Sequence, residues 1–337
     1  MSKDLIDQID KSIRSDPARR GLISSEPLFG QLCDGHLMTA ATHLAENAKH
    51  VGLVTGFYVP GGAPPAAETD GPLGTLLLAM ALRAIDVETT VITDENCIGA
   101  VAAAAYAGGF PEENLLVYPH NSSAWIEEFF TTGPGSCLSH LVSIERVGPS
   151  HTEESLKSQA RETDVPVEEF ASRVPVERHN RCHNIRGHVI DQHTADMYRL
   201  FEELPRYRPD AKTIGVGDGA NEIGMGSIPW EELHRRLEGE QAAYVPCRIA
   251  TDWTIIAGTS NWGGYALAAA TLLLRDQVDC LRDWDCRHQL QVLEYIVEHG
   301  PAVDGITGRQ EPTVDGLPFS TYIQPWDAIR RLLGLDE

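Results

Sequence analysis

The sequence predicts an α/β fold, in which a mostly parallel β-sheet is flanked by helices. Apolar, strand-like runs alternate with helix-like segments through most of the 337 residues, an order typical of a parallel sheet covered by helices. Glycine- and acid-rich loops follow several of the predicted strands, at the sheet edge where α/β proteins gather ligands. A Pro-, charge- and His-rich stretch at residues 148–187 interrupts the alternation, and we predict an inserted, lid-like segment there.

The first half of the chain begins with a predicted helical arm over residues 1–48. Its opening helix has one apolar face, formed by Leu5, Ile6, Ile9 and Ile13. The hydrophobic pattern then predicts, in order, a helix at 36–47, a strand at 51–57, a helix at 72–85, a strand at 88–93, a helix at 98–107 and a strand at 114–118. Pro72 suits the first turn of its helix, where the missing N–H costs no hydrogen bond.

The second half continues this alternation after the insertion. Strands are predicted at 138–145 and 212–216, and helices at 261–275 and 287–298. Length alone corresponds to roughly two domains, but the chain has no long linker and no internal repeat. One composite domain with Rossmann-like layers and two separate domains fit these elements equally well, and we take residues 1–337 as one domain.

The charge balance argues against some classes of partner. The chain has 27 Lys and Arg against 49 Asp and Glu, a net charge of -22, which disfavours binding to nucleic-acid phosphates. No apolar run approaches the ~18 residues of a membrane helix. We therefore expect a small-molecule ligand, with no nucleic acid and no membrane as partner. Whether the chain forms a homo-oligomer stays open. An anionic substrate would need local Arg, metal or backbone N–H groups to attract it.

Cysteine use and the N-terminus predict a cytoplasmic protein. The seven cysteines form no C-x-x-C pair and no regular spacing, which is typical of reduced thiols. The opening residues, MSKDLIDQIDKSIRSD, show neither the apolar centre of a secretory leader nor the acid-poor composition of a transit peptide.

The loop before the helix at 72–85 is the first candidate site. It ends in Glu68, Thr69, Asp70 and Gly71. Thr69 or Asp70 would cap the helix, but a cap explains one polar residue rather than the whole group. We therefore favour a site loop.

Asp94 follows the next predicted strand and is the candidate partner of Asp70. Capping of the helix at 98–107 is the simpler interpretation of this loop taken alone. If the two strands are neighbours, however, Asp94 faces Asp70 across the sheet edge. Paired carboxylates suit a hard divalent cation, so Mn²⁺ or Mg²⁺ held by Asp70 and Asp94 is the candidate metal, and no organic cofactor is expected.

The richest candidate is the glycine-rich loop at 212–227, KTIGVGDGANEIGMGS. Its glycines allow the backbone to approach a ligand closely, and an acid, an amide and a second acid follow within five residues, namely Asp218, Asn221 and Glu222. The loop formally matches the dinucleotide fingerprint, but Asp218 would repel a pyrophosphate. It also resembles an element of haloacid-dehalogenase-type phosphatases, yet the D-x-D-x-T nucleophile of that class is missing.

Further candidates come from later segments. Asn261, in TSNWGGY, either caps an apolar helix or contacts a ligand. Arg186 is a candidate carboxylate clamp, because a guanidinium binds carboxylates through a bidentate fork. The nearby histidines match no standard zinc spacing, and we interpret them as loop residues. No nucleophile elbow and no phosphate-binding P-loop motif occurs in the sequence.

These segments together resemble the D-glutamate cyclase C-terminal-like family. The resemblance rests on VTGF at 54–57, ETDGP at 68–72, SIERVGP at 143–149, GVGDGANEIGMG at 215–226, SNWGGYALAA at 260–269 and TVDGLP at 313–318. The blocks follow family order over about residues 25–330. The chain departs from the family between 148 and 187, where a longer His-rich stretch replaces a short Gly- and Tyr-containing one.

The resemblance implies a hydro-lyase that closes D-glutamate to 5-oxo-D-proline with loss of water. Such a site needs a base, an acid and a cation or N–H array on the γ-carboxylate. Our hypothesis uses Asp218 or Glu222 as base and Asp70 as acid or metal ligand. The substrate, a small anionic amino acid, would be held by Thr69, Gly71, Arg186, Gly217, Gly219, Asn221 and Asn261.

Other functions stay open at this stage. The same scaffold with an altered 148–187 segment would suit a cyclase or a hydrolase-type enzyme acting on another small amino or hydroxy acid. A non-catalytic small-molecule binding domain is the remaining alternative. The intact acidic loops favour an enzyme over that domain.

Overall fold

A parallel six-stranded sheet forms the centre of the protein, as the sequence predicts. The computed structural model describes residues 2–23, 30–120, 123–161 and 164–335. The strands are β1 (His50–Thr55), β2 (Glu88–Asp94), β3 (Leu115–Tyr118), β4 (His140–Ile144), β5 (Lys212–Gly217) and β6 (Trp253–Ile256). They lie in the order β3-β2-β1-β4-β5-β6, and every neighbouring pair is parallel.

Helices cover both faces of this sheet. They are α1 (Ser2–Ile13), α2 (His36–Asn47), α3 (Pro72–Arg83), α4 (Ile98–Ala107), α5 (Ser123–Thr131), α6 (Glu153–Ser158), α7 (Val167–Arg173), α8 (Tyr198–Tyr207), α9 (Trp230–Arg236), α10 (Ser260–Leu274), α11 (Cys286–His299), α12 (Phe319–Tyr322) and α13 (Gln324–Leu332). Short hairpins pair Tyr58–Val59 with Ala66–Ala67 and Thr313–Val314 with Leu317–Pro318. None of the helices in the described ranges is long and apolar enough to cross a membrane.

The two largest apolar cores of the described residues lie on the two faces of the sheet. The larger one includes side chains of α1, α2, α3, α4, α10, α11 and α13, and the other includes those of α5 and α8. Within the larger core, α3 and α10 are buried along most of their lengths and cross at Gly74 and Gly264. A Cβ atom on Gly74 would lie 2.7 Å from the Cα of Asn261, and one on Gly264 would lie 2.8 Å from Gly74. Glycine is needed here because no side chain fits between the two helices.

The strand order places a ligand-binding crevice at one edge of the sheet. Chain order reverses between β1 and β4, and in open α/β sheets ligands bind outside the carboxyl ends of the strands at such a point. The loops that follow β1, β4, β5 and β6 start from that edge.

The predicted insertion lies in the long connection from β4 to β5. Residues 148–187 contribute α6 and α7 but no strand of the central sheet in their described part, and residues 162 and 163 lie outside the described residues. The end of this segment, at Asn184, Ile185 and Arg186, forms one wall of the crevice. The interruption of the strand–helix alternation is therefore real, whereas the lid-like role stays a prediction.

Candidate functional site

A group of buried carboxylates lies at the carboxyl edge of the sheet. We call it the acidic cluster, and its members are Glu68, Asp70, Glu145, Asp218, Glu222 and Asp315, each at most 6% exposed. Acids are almost never this buried unless they are paired. Such an arrangement therefore costs folding energy and points to a binding or catalytic role.

Loops from distant parts of the chain deliver these acids. Glu145 follows β4 with φ at 48°, and Asp218 follows β5 directly. Asp315 sits in the turn of the C-terminal hairpin with φ at 52°. Non-glycine residues in this left-handed region are strained, and such strain is frequent at active sites.

Arg20 is the cation within the acidic cluster. It comes from the N-terminal arm, and its guanidinium pairs with Asp218 and donates to Asp315 Oδ1 at 2.8 Å. Burial opposes its charge, but Asp218 and Asp315 raise the pKa of Arg20 above its already high value. Arg20 is therefore a fixed positive charge that offsets part of the negative charge around it.

Four acids of the cluster have raised pKa values, namely Glu68, Asp70, Glu145 and Asp218. Burial raises the pKa of Asp70 to about 7, and the charge of Asp315 adds to this effect. Burial, with Glu222 and Asp70, raises the pKa of Glu145 well above its usual range. The pKa of Asp218 is also raised by burial, against the lowering effect of Arg20. Several close acids titrate as a group, so the raised pKa values favour retention of protons within the cluster.

A cavity of about 300 Å³ opens onto the acidic cluster. Arg20, Glu68, Glu145, Asp218 and Glu222 contribute to its lining. Its volume is at the lower end of the range for ligand sites, which fits a small molecule.

The outer walls of the cavity come from the loop after β1 and from two later loops. They include Phe57, Tyr58, Asn184, Arg186 and Ile306. Arg186 is exposed and donates to the carbonyl oxygen of Ile306 at 2.9 Å. It therefore stands at the mouth of the cavity, compatible with the predicted contact to a substrate carboxylate.

Asp70 and Asn261 cap each other's helices. Asp70 accepts hydrogen bonds from the backbone N–H groups of Ser260 and Asn261, both at 2.8 Å, at the start of α10. The Asn261 side-chain oxygen accepts from Gly71 N–H at 2.9 Å and Gly74 N–H at 2.7 Å, at the start of α3. Neither Asp70 nor Asn261 lines the cavity. Both predicted site residues thus hold the two helices together behind it.

Asp94 does not join Asp70, and the predicted pair is corrected here. The two strands are neighbours as expected, but the Asp94 carboxylate forms an ion pair of 2.6 Å with Arg146, and both side chains are 1% exposed. Asp94 also accepts from the N–H groups of Cys97 and Ala195. Although burial opposes ionisation, Arg146 keeps the pKa of Asp94 below its usual value. This carboxylate is already fully paired, so it has a structural role.

The remaining predicted residues divide between the cavity and its support. Gly219 and Asn221 line the cavity, and the Asn221 amide donates to the carbonyl of His183 at 3.0 Å. Thr69 is buried behind the cavity and donates to the carbonyl of Thr313 at 2.7 Å. Gly71 and Gly217 are likewise outside the lining; a Cβ atom on Gly217 would lie 2.9 Å from the Cβ of Glu222.

Unpartnered oxygens mark where a ligand would bind. Asp218 Oδ2, Glu222 Oε2 and Asp315 Oδ2 are buried without a hydrogen-bond partner. The other Glu222 oxygen accepts from Gly219 N–H at 2.7 Å. Buried polar atoms are normally satisfied, so these oxygens are available to a cationic or hydrogen-bond-donating group.

The histidines near the crevice form no metal site with one another in the described ranges. His193 stacks on Tyr58, and His188 and His193 contribute to the cavity lining. His183 is buried, and burial lowers its pKa to about 4. Their interpretation as loop residues that partly cover the site agrees with this placement.

Sequence reasoning missed Arg20, Glu145 and Asp315 as site residues. Glu145 lies in the SIERVGP block and Asp315 in the TVDGLP block. Both blocks carried the family resemblance and were the available signal. Arg20 and Asp315 are 295 positions apart and carry no shared motif. Only the fold brings them together.

Comparisons with known proteins find a matching family and a curated relative. Residues 9–170 and 156–332 match the family described as D-glutamate cyclase-like, C-terminal. The chain is also 28% identical over 341 residues to the mitochondrial D-glutamate cyclase of Homo sapiens, a match that covers 93% of this chain and 49% of that protein. The chain thus spans about half the length of this curated relative. The cytoplasmic location expected for this chain stays a prediction.

Proposed function

The chain belongs to the D-glutamate cyclase-like family, and from that premise we propose that it is a lyase that closes D-glutamate to 5-oxo-D-proline with loss of water. The observation that carries the proposal is the group of buried carboxyls beside the cavity, in which burial raises the pKa values of Glu68, Glu145 and Asp218. A non-catalytic binding site for an anionic amino acid would gain little from so many buried acids.

The proton balance of the reaction explains why an acidic site suits an acidic substrate. The substrate ammonium loses two protons as its nitrogen forms a bond to the carbon of the γ-carboxyl group. One γ-oxygen departs as water and takes up two protons. The reaction therefore needs groups that accept protons from nitrogen and deliver them to oxygen, and a set of carboxyls with raised pKa values can do both.

We assign the base to Asp218 and the acid to Glu145. Asp218 pairs with Arg20, which favours its ionised form, and its Oδ2 atom is free to take a proton from the amine. Glu145 has no such cation bonded to it and accepts a hydrogen bond from the Ser260 hydroxyl. Its raised pKa favours the protonated form, so that it can protonate the γ-carboxylate. The second proton on the departing oxygen comes from Asp218, which has taken it from the amine, and the second nitrogen proton returns to Glu145.

Arginines and backbone N–H groups would hold the substrate carboxylates. Arg186 at the cavity mouth suits the α-carboxylate, which takes no part in bond formation. Asn221 lines the same cavity and would bind the amine or an oxygen. Asp70 supports this arrangement through its bonds to α10 and its effect on the pKa of Glu145.

A hard divalent ion fits the acidic cluster better than it fits the predicted Asp70–Asp94 pair. Asp70, Glu145 and Asp218 each offer one oxygen, and these oxygens lie within 4.8 Å of one another. Oxygen donors of this kind suit Mn²⁺ or Mg²⁺. Such an ion would need Glu145 and Asp218 ionised, so it is an alternative to their acid and base roles: when bound, it would neutralise the γ-carboxylate in place of the Glu145 proton.

The experiment is NMR of the purified protein incubated separately with D-glutamate, L-glutamate and 5-oxo-D-proline, each with and without Mn²⁺ or Mg²⁺. We expect interconversion of D-glutamate and 5-oxo-D-proline only. Glu145→Gln should lower the rate at least ~10²-fold, because general acid catalysis contributes that much. Glu113→Gln, an exposed substitution, is the matched control.

Some outcomes would reject the proposal. Turnover of L-glutamate at the same rate would contradict the substrate, and absence of turnover under all conditions would contradict the activity. Equal rates for Glu145→Gln and Glu113→Gln would contradict the assignment of the acid.

A further inference from the structure

A second group of metal-ligating side chains lies at the amino edge of the sheet, opposite the acidic cluster. His50 is the first residue of β1, Glu88 is the first residue of β2, and Cys137 ends a short turn before β4. β1 rises by about 3.3 Å per residue, so this group lies some 16 Å from the carboxyl end of that strand. Nothing in the proposed reaction uses it.

The distances within this group suit a shared metal ion. His50 Nδ1 lies 3.0 Å from Cys137 Sγ and 3.5 Å from Glu88 Oε2. The three ligand atoms are all within 4.8 Å of one another. Tetrahedral zinc, with bonds of about 2.0–2.3 Å, separates its ligand atoms by about 3.3–3.6 Å. The two distances from His50 are close to this range, and the Cys137 and Glu88 side chains are exposed and therefore able to adjust to an ion.

The imidazole of His50 is held in the orientation that a metal ligand needs. Its Nε2 atom lies 2.8 Å from the Thr90 hydroxyl, so Nδ1 faces Cys137 and Glu88. Metal-bound histidines commonly use their second nitrogen in this way. The ring is buried, with His50 only 7% exposed.

Backbone contacts fix the cysteine turn against the same strand. The Ser139 hydroxyl accepts from the N–H groups of Lys49 and His50 and donates to the carbonyl of His50 at 2.9 Å. Arg208 donates to the carbonyl of Ser136 at 2.8 Å. The loop that carries Cys137 is therefore positioned before any ion binds.

We propose that His50, Glu88 and Cys137 bind a zinc ion whose fourth position is open to water. An imidazole, a thiolate and a carboxylate are the mixed ligands that zinc accepts, whereas Mg²⁺ and Mn²⁺ prefer oxygen alone. All the cysteines are free, so the Cys137 thiol can lose its proton to the ion. Solvent reaches the site, because the Glu88 side chain is 78% exposed. The ion would link the starts of β1 and β2 to the turn before β4.

The test is titration of the reduced, full-length protein with Co²⁺ as a spectroscopic substitute for zinc, followed by displacement with Zn²⁺. We expect one equivalent of Co²⁺ to give a thiolate-to-cobalt charge-transfer band, and Zn²⁺ to remove it. Cys137→Ser should abolish the band, while Cys280→Ser and Cys286→Ser, at other exposed cysteines, should retain it. Absence of the band in the wild type, or its persistence in Cys137→Ser, would overturn the proposal.

A second variant and a second readout protect the test against misfolding. Glu88→Gln changes an exposed side chain and should weaken Zn²⁺ binding at least ~10-fold, since even indirect partners of metal ligands contribute that much. Zn²⁺ should also raise the unfolding temperature of the wild type by more than that of Cys137→Ser, because the variant lacks this site and only a bound ion stabilises the folded state. Equal Zn²⁺ stabilisation of both proteins would contradict the site. These readouts do not depend on turnover of D-glutamate.

Discussion

At the scale of single residues, Arg20 offsets part of the negative charge beside the cavity. It contacts Asp218 and Asp315 directly and also acts on Glu145 and Glu222 through its charge. Without it, the acidic cluster would lose the guanidinium that offsets its charge, and the ionised form of Asp218 would lose its partner. A residue of the N-terminal arm is therefore part of the site that the glycine-rich loop builds.

Replacement of Arg20 by methionine tests this role. We expect the cyclisation rate to fall at least ~10²-fold and the acid limb of the pH–rate profile to move to higher pH, because Asp218 would keep its proton longer. The measurement is the initial rate of 5-oxo-D-proline formation over a range of pH.

Arg19→Met is the matched control for this substitution, since Arg19 is the exposed neighbour of Arg20. It should retain the wild-type rate within about twofold. An Arg20→Met enzyme with the wild-type rate and pH profile would show that Arg20 is not needed.

Site residues that lie close together in the sequence could be predicted from it, whereas residues far apart in the sequence could not. Asp218, Asn221 and Glu222 stand within five residues in one loop, so their proximity is local and visible in the sequence. Arg20 meets Asp315 only because the N-terminal arm and the C-terminal hairpin pack at the same edge. Asp94 shows the reverse case: its position was predictable, but its partner Arg146 depended on tertiary contacts.

At the scale of elements, a buried ion pair joins the ends of β2 and β4, the strands on either side of β1. Arg146 follows β4 and reaches Asp94 at the end of β2, and it also donates to the carbonyls of Gly56 and Ala195. It therefore fixes the loops after β1, β2 and β4 relative to one another. The cavity walls depend on the same loops.

Arg146→Met should destabilise the protein by about 3–5 kcal/mol, because removal of one partner leaves Asp94 buried and unpaired. Urea unfolding measures this change. Arg173→Met breaks the exposed pair with Glu169 and should cost less than about 1 kcal/mol. Similar losses for the two variants would contradict the assigned role of Arg146.

The predicted elements agree with the structure where the hydrophobic pattern is strong. The helices at 36–47 and 98–107 match α2 and α4 at both ends. The pattern missed β6, which has only four residues, and α8, which contains Pro205. A short strand gives little periodicity, and an internal proline normally predicts a break in a helix. Both elements therefore depend on tertiary packing that the local sequence does not show.

At the scale of the whole molecule, the site makes stability depend on pH. Asp70 has a pKa of about 7 in the folded protein against 3.8 for a free side chain. The folded state therefore binds this proton more tightly than the unfolded state does. The resulting stabilisation is complete below about pH 4 and is lost as the pH rises through 7. Buried histidines with lowered pKa values, such as His140 and His151, act in the opposite direction as the pH falls.

A difference measurement isolates Asp70 from those histidines. We expect Asp70→Asn to gain stability relative to the wild type as the pH rises from 4 to 8, by on the order of 4 kcal/mol at most. Urea unfolding of both proteins at a series of pH values gives this difference. A difference that stays constant with pH, or that shrinks, would contradict the raised pKa of Asp70.

The central claim is that the acidic cluster converts D-glutamate to 5-oxo-D-proline. The most direct test is one NMR time course of the wild type and Glu145→Gln with D-glutamate, recorded side by side. Our account predicts the signals of 5-oxo-D-proline with the wild type and a rate at least ~10²-fold lower with the variant. Unchanged D-glutamate with the folded wild type, or equal conversion by both proteins, would contradict it.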